Sequence, residues 1–274
     1  MTRPRPHPGP SDGAEIYPVD QPVPKGPALP GKVAAAPTTD DLLDLVAADL
    51  VAQALICVRR FGDFQLAVCG GSIPQLLYER LMYAPDFRAL PWARTHLWSV
   101  HDQCVAPDDQ RSNYRMIRET LVEHSGIPPE QAHPMAAVSS TADRDYEAQL
   151  HGVLEWRERG EDRLDFVLLE MGADGRIAGL FPHTEPLGET RRLVRFNACP
   201  GPPASECITM TLRLINAARF IAVLVTGRSN AATIQRVASG NDPVEELPVK
   251  GLSPINGELK WYLDAEACGE EREP

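Results

Sequence analysis

Three short apolar runs, each closed by a glycine-bearing turn, constrain this chain more than any other feature. Phe64–Val68 leads into Cys69-Gly70-Gly71-Ser72, Asp165–Leu169 into Gly172-Ala173-Asp174-Gly175, and Phe220–Val225 into Thr226-Gly227. Runs of this length are too short for buried helices and fit strands covered on both faces. After the first turn, Pro74 stands where the opening turn of a helix tolerates it, and Leu76, Leu77, Leu81 and Met82 supply a buried side. Strand, glycine turn and helix make the first half of a βαβ unit.

The alternation extends in both directions. Thr39 or Asp40 is placed to cap a helix carrying Leu42, Leu43, Val46, Leu50, Val51, Ala54, Leu55 and Val58 at helical spacing. Further along, Thr95–Val100 reads as a strand, Asn113–Glu123 and Ala142–Arg159 as helices, and Leu193–Phe196 and Ile208–Leu212 as late strands. A last helix runs through Ile234 and Val237. This pattern predicts an α/β fold: a doubly wound, mostly parallel sheet with helices on both faces, in a single domain over residues 39–267. Ten of the 26 prolines fall within the first 37 residues, where no apolar period is visible. Residues 1–38 are therefore expected to be a disordered proline-rich arm, available at most for docking, and residues 268–274 a short tail.

Composition narrows the partners. Hydrophobic residues make up 43% of the chain and charged residues 24%, as in ordinary globular proteins, and the net charge is −11. Such a surface repels phosphate backbones and anionic lipid, so neither a nucleic acid nor a membrane is expected as a partner. No uncharged apolar run approaches 18 residues, and the N-terminal basic residues lack the apolar stretch of a secretory signal. Six cysteines without C-x-x-C pairs fit a reducing, cytoplasmic setting.

Parallel sheets bind ligands beyond the carboxyl ends of their strands, where all three glycine turns fall. Gly70 and Gly71, with Ser72 opening the helix, allow backbone N–H groups to converge on an anion, although such turns also serve simple tight packing. The turn matches neither a P-loop nor a G-x-G-x-x-G fingerprint, so no nucleotide or nicotinamide cofactor is expected. The histidines show no H-E-x-x-H spacing and no G-x-S-x-G is present. The four tryptophans read as core or cleft wall.

Several segments together resemble the 6-phosphogluconolactonases, kin of the glucosamine-6-phosphate isomerases and deaminases. They are Gly70–Pro74, Cys104–Asp109, Arg111–Tyr114, Met171–Gly175 with Leu180–Pro182, Pro202–Thr211, Asn216–Arg219, Leu224–Gly227 and Gly257–Asp264, in family order. The closing Gly257-Glu-Leu-Lys-Trp-Tyr-Leu-Asp264 favours the lactonase branch. The resemblance implies a cleft for a phosphorylated sugar lactone, 6-phosphogluconolactone, opened by water to 6-phosphogluconate in the pentose phosphate pathway. It also implies that a histidine of an Asp-Gly-His motif is the base, that no metal is needed, and that the glycine turn and basic side chains hold the phosphate.

Against that pattern, Arg176 stands where the histidine is expected, and a guanidinium cannot take a proton from water. His101-Asp102-Gln103 replaces Asp-Glu-Arg, Cys207 an arginine, Asn230 a lysine, Cys69 a serine and Ile73 a threonine. Asp174 is thus a candidate base with Arg176 polarising the lactone carbonyl, or else a turn cap. Arg176 is equally a replacement anion contact. His183, after Phe181-Pro182, is a candidate substitute base or a surface histidine. Asn113, beside Ser112, is a candidate sugar contact or a helix cap. Cys69, His101 and Cys207 raise a metal or reactive-thiol site, or thiols filling the space of lost charges. Two functions follow: a lactonase using Asp174 or His183, or a noncatalytic protein that binds a sugar-derived ligand or a pentose phosphate pathway partner.

Overall fold

The computed structural model describes residues 22–200 and 205–269. Its first half runs β1 (Lys32–Ala36), α1 (Thr39–Phe61), β2 (Phe64–Val68), α2 (Ser72–Tyr83), β3 (Thr95–Ser99), β4 (His101–Gln103), α3 (Asn113–Ile117), a π turn, α4 (Glu123–Ser125) and β5 (Ala132–His133). The second half runs α5 (Ala142–Leu154), β6 (Phe166–Glu170), β7 (Val194–Cys199), β8 (Ser205–Met210), α6 (Leu212–Ala217), β9 (Phe220–Val225), α7 (Ala231–Ser239) and β10 (Glu258–Asp264). Seven strands form one sheet in the order β1-β10-β9-β6-β2-β3-β5, with every neighbouring pair parallel. The expected α/β architecture is therefore present. After β2 the chain moves outward through β3 to β5, then returns to the other side of β2 as β6. That reversal puts the topological switch point between β2 and β6, where a crevice opens at the carboxyl edge.

Two expectations change in the structure. Residues 32–36, read as part of the arm, form β1 and pair with β10 from Lys32↔Lys260 to Ala36↔Asp264. Flanking prolines break helices but tolerate an edge strand, and the Trp261 indole N–H anchors the entry by donating to the Pro30 carbonyl at 2.7 Å. Residues 1–21 lie outside the described residues, as do 270–274 of the tail. The late strands β7 and β8 do not join the parallel sheet. Only residues 200–204 separate them, too few for a crossover, so they pair antiparallel and recruit β4 as a third strand. Val100 joins the two sheets: its N–H donates to Val68 and its carbonyl accepts from Met210, both at 2.9 Å.

Helix boundaries shift by small amounts. Thr38, rather than Thr39 or Asp40, caps α1, accepting the Asp41 N–H at 3.1 Å. Helix α5 stops at Leu154 instead of Arg159, because Arg157 turns inward to a buried ion pair and leaves Trp156 58% exposed. Arg157 meets Asp63 at 2.6 Å and Asp165 at 2.7 Å, and Arg219 reaches Asp165 at 2.9 Å. Gln65 and Trp98 extend this network under the amino ends of the strands. It lies at the opposite end of the sheet from the crevice.

At the β3–β5 edge, His133 stacks on Trp98 with ring centroids 3.7 Å apart, and its Nε2 lies 3.0 Å from His96 Nδ1. Burial, reinforced by His96, pushes the His133 imidazole down to about 4. The unfolded chain therefore binds the extra proton first, and this site favours folding above pH 6.5 and loses that contribution as pH falls toward 4. His133→Asn is expected to flatten the pH dependence of urea unfolding within that window. A dependence as steep as in the wild type would remove His133 as its source.

Candidate active site

Strands β2, β6 and β9 end side by side, and the glycine turns after β2 and β6, with Asn230 beyond the β9 turn, line a cleft of about 670 Å³. Gly70, Gly71, Ser72, Asn113, Asp174 and Arg176 all line it, so six of the seven predicted site residues come together. His183 does not. It is exposed, at φ 60, with its backbone N–H donating to Glu245 at 2.8 Å, and it is not among the residues lining the cleft. A loop histidine two residues past a cleft residue follows its own backbone direction, which sequence proximity does not reveal.

The glycine turn needs both its glycines. Gly71 sits at φ 139, and a Cβ there would lie 2.0 Å from Glu170 Oε2. A Cβ at Gly70 would lie 2.0 Å from Asn113 Oδ1, so Asn113 rests directly on the turn. Asn113 is not the helix cap. Ser112 takes that role, accepting the Arg115 N–H at 3.1 Å. Asn113 Nδ2 lies 3.0 Å from His101 Nε2. Beneath them Asp102 accepts from Asn113 N–H at 2.7 Å, Gln103 N–H at 2.8 Å and Ser112 Oγ at 3.0 Å. Burial pushes the Asp102 carboxyl up, while these donors pull it back. Asp102 orients the start of α3 and is a positioning residue.

The loop after β6 closes through Gly172 N–H to the Arg176 carbonyl at 3.0 Å. Asp174 Oδ1 accepts the Arg176 N–H at 3.1 Å and the Arg176 guanidinium at 3.2 Å, which makes Asp174 the turn acceptor and the ion partner of Arg176. Arg176 folds back over Gly172, where a Cβ would stand 2.8 Å from its Cζ. It is the one arginine or lysine among the described residues lining the cleft.

Cys69, His101 and Cys207 are not gathered into one site. Among the described residues no group of three or more His, Cys, Asp or Glu side chains is placed to hold a metal ion. Cys69 precedes α2, and burial and then the nearby Glu170 push its thiol up, outweighing the backbone and Tyr78 donors that pull it back. Cys207 is buried against Gly179 and away from the lining. His101 lines the cleft, and burial followed by Arg176 pushes its imidazole down to about 4. At Gln103, where an arginine is expected, the amide instead donates to Cys199 Sγ at 3.7 Å and accepts from Ser205 at 3.2 Å.

Glu170 is the cleft residue that the sequence reading passed over. It is the last residue of β6, and burial pushes its carboxyl up to about 7, with Arg176 opposing. The available signal was a carboxylate closing an apolar strand immediately before a glycine turn.

Fold and cleft define an α/β protein with an open cleft at the carboxyl edge of a parallel sheet. The chain belongs to the glucosamine-6-phosphate isomerase/6-phosphogluconolactonase family, whose model matches residues 37–261. It is 32% identical over 236 residues to a 6-phosphogluconolactonase of Synechocystis, covering 82% of this chain and 95% of that one. It is 35% identical over 232 residues to the GDH/6PGL endoplasmic bifunctional protein of Homo sapiens, covering 84% of this chain but only 29% of the relative's length. Among solved structures, the devB protein superposes with a TM-score of 0.74 at 26% identity, covering 87% of this chain and 98% of that one. The 6-phosphogluconolactonase of Trypanosoma cruzi superposes at 0.75 with 22% identity, covering 90% and 99%, which speaks to the fold. No helix among the described residues is long and apolar enough to cross a membrane.

Proposed function

We propose that this protein is a lactonase of the 6-phosphogluconolactonase type, opening the cyclic ester of a sugar acid with water. The carrying observation is the convergence of Gly70, Gly71, Ser72, Asn113 and Arg176 on one cleft at the switch point, in a chain of this family. The N–H groups of the glycine turn meet anionic or carbonyl oxygen, Asn113 meets sugar hydroxyl, and Arg176 polarises the carbonyl or pairs with an anion. 6-Phosphogluconolactone is the first substrate to try, since relatives carry that activity in their names. Asp174 serves this scheme by holding Arg176 rather than by taking a proton.

A second reading, a noncatalytic binder of a sugar-derived ligand, is favoured by the arginine at position 176 and by the ion pair that occupies it. The test is hydrolysis of freshly made 6-phosphogluconolactone, corrected for the spontaneous reaction. Wild type is expected to be active, and Arg176→Ala is expected to lower kcat/KM about 10–100-fold, the worth of one charge-assisted hydrogen bond. Silence of both wild type and Arg176→His, with 6-phosphogluconate still binding in calorimetry, would establish the binder instead.

A further inference from the structure

We propose that Glu170 is the general base of this cleft, taking the place of the histidine whose position Arg176 occupies. The inference rests on the lactonase reading above and deepens it. Three carboxylates lie in or directly under the cleft, and two are already engaged. Asp102 accepts three donors within 3.0 Å, and Asp174 is held by the Arg176 guanidinium at 3.2 Å. Glu170 alone of the three has a carboxylate with no hydrogen bond or ion pair among the described residues, and it lines the cleft. Its Oε2 occupies the space that the missing side chain of Gly71 leaves open, beside the backbone that would meet the lactone. His101, the one imidazole among the described residues lining the cleft, is too weak a base after burial, and its Nε2 faces Asn113. His183 lies outside.

The groups that face Glu170 set its behaviour. Arg176, from the following loop, favours its ionised form. Cys69 at the end of β2 and Tyr78 on α2 both sense its charge as neutral, buried neighbours, and Asp174 and His101 share the cleft. Burial outweighs Arg176 and holds the carboxyl near neutrality, where a base both accepts a proton readily and exists ionised in quantity. In the reaction, the water oxygen bonds to the lactone carbonyl carbon while Glu170 takes one water proton. The tetrahedral adduct then collapses, the ring C–O bond breaks, and the departing ring oxygen takes that proton back from Glu170 as a hydroxyl. The new carboxyl group releases its own proton to solvent, so Glu170 ends as it began.

The experiment compares wild type, Glu170→Gln and Glu170→Ala on 6-phosphogluconolactone and on glucono-δ-lactone, with thermal melts as a folding control. Wild-type kcat/KM is expected to rise with pH along a limb centred at about 7. Glu170→Gln is expected to lose about 10²–10⁴-fold in kcat with KM little changed, and to lose that limb. Added formate is expected to restore part of the activity of Glu170→Ala, which a merely structural role would not produce. An active wild type whose glutamine variant stays within about threefold, or an alanine variant deaf to formate, overturns Glu170 as the base and leaves the lactonase reading standing. A wild type silent on both lactones overturns that reading, and the base with it.

Discussion

Replacing Arg157 by methionine is expected to destabilise the protein by about 3–5 kcal/mol, the usual cost of removing one partner from a buried ion pair. The guanidinium is 1% exposed and Asp165 is wholly buried, so the carboxylate left behind cannot turn to water. Asp165 would keep Arg219 and the Gln65 N–H, while Asp63 would lose the Arg157 guanidinium. In a chain of this size the loss corresponds to a drop in melting temperature on the order of 10 °C. Urea unfolding of Arg157→Met measures it directly, and a cost below about 1 kcal/mol would mean that water or a rearranged Arg219 replaces the missing charge. Lactone hydrolysis at a temperature well below the melt should be unaffected, because the network sits at the far end of the strands from the cleft.

Gly71→Ala should do the reverse, with a modest effect on stability and a large one on activity. At φ 139 the alanine backbone is strained, which costs on the order of 1–3 kcal/mol. Its Cβ would stand 2.0 Å from Glu170 Oε2 and 3.2 Å from Pro74 Cδ. The carboxylate is the flexible end of its side chain and moves away, so the clash becomes a displacement of the proposed base rather than an unfolding. Activity is expected to fall at least about 100-fold, since a shift of about an ångström in a reacting group costs that much. A Gly71→Ala enzyme of near-normal rate would show that neither the turn's backbone nor Glu170 needs its present position.

Most of the parallel sheet was legible because its strands are buried on both faces and therefore read as unbroken apolar runs, as Phe64–Val68 and Phe220–Val225 do. Strand β1 was hidden because it is an edge strand of small residues among prolines, with little hydrophobic signal of its own. Strand β4, His101–Gln103, is polar and short, and it exists only because β8 is there to pair with it. In the cleft, the glycine turn, Asn113 and Arg176 were recoverable from local pattern and resemblance. Glu170 was not, because a new carboxylate at the end of a strand leaves no gap in a motif. Of the two readings of His183, the structure supports the surface histidine and not the base: the residue type fitted both, and local sequence does not fix the direction of a loop side chain.

Strand β6 carries a buried or half-buried acid at each of its ends, Asp165 just before it and Glu170 closing it. Five steps of extended chain put them about 16 Å apart on one rigid element. Asp165 has its charge matched by two guanidiniums, whereas Glu170 has its charge left open toward the ligand space. The same strand thus anchors the scaffold at one end and keeps a reservoir of proton affinity at the other. With no shared partners between them, alterations of the two acids should combine additively, so the chemistry of the cleft is free to change while the scaffold stays constant.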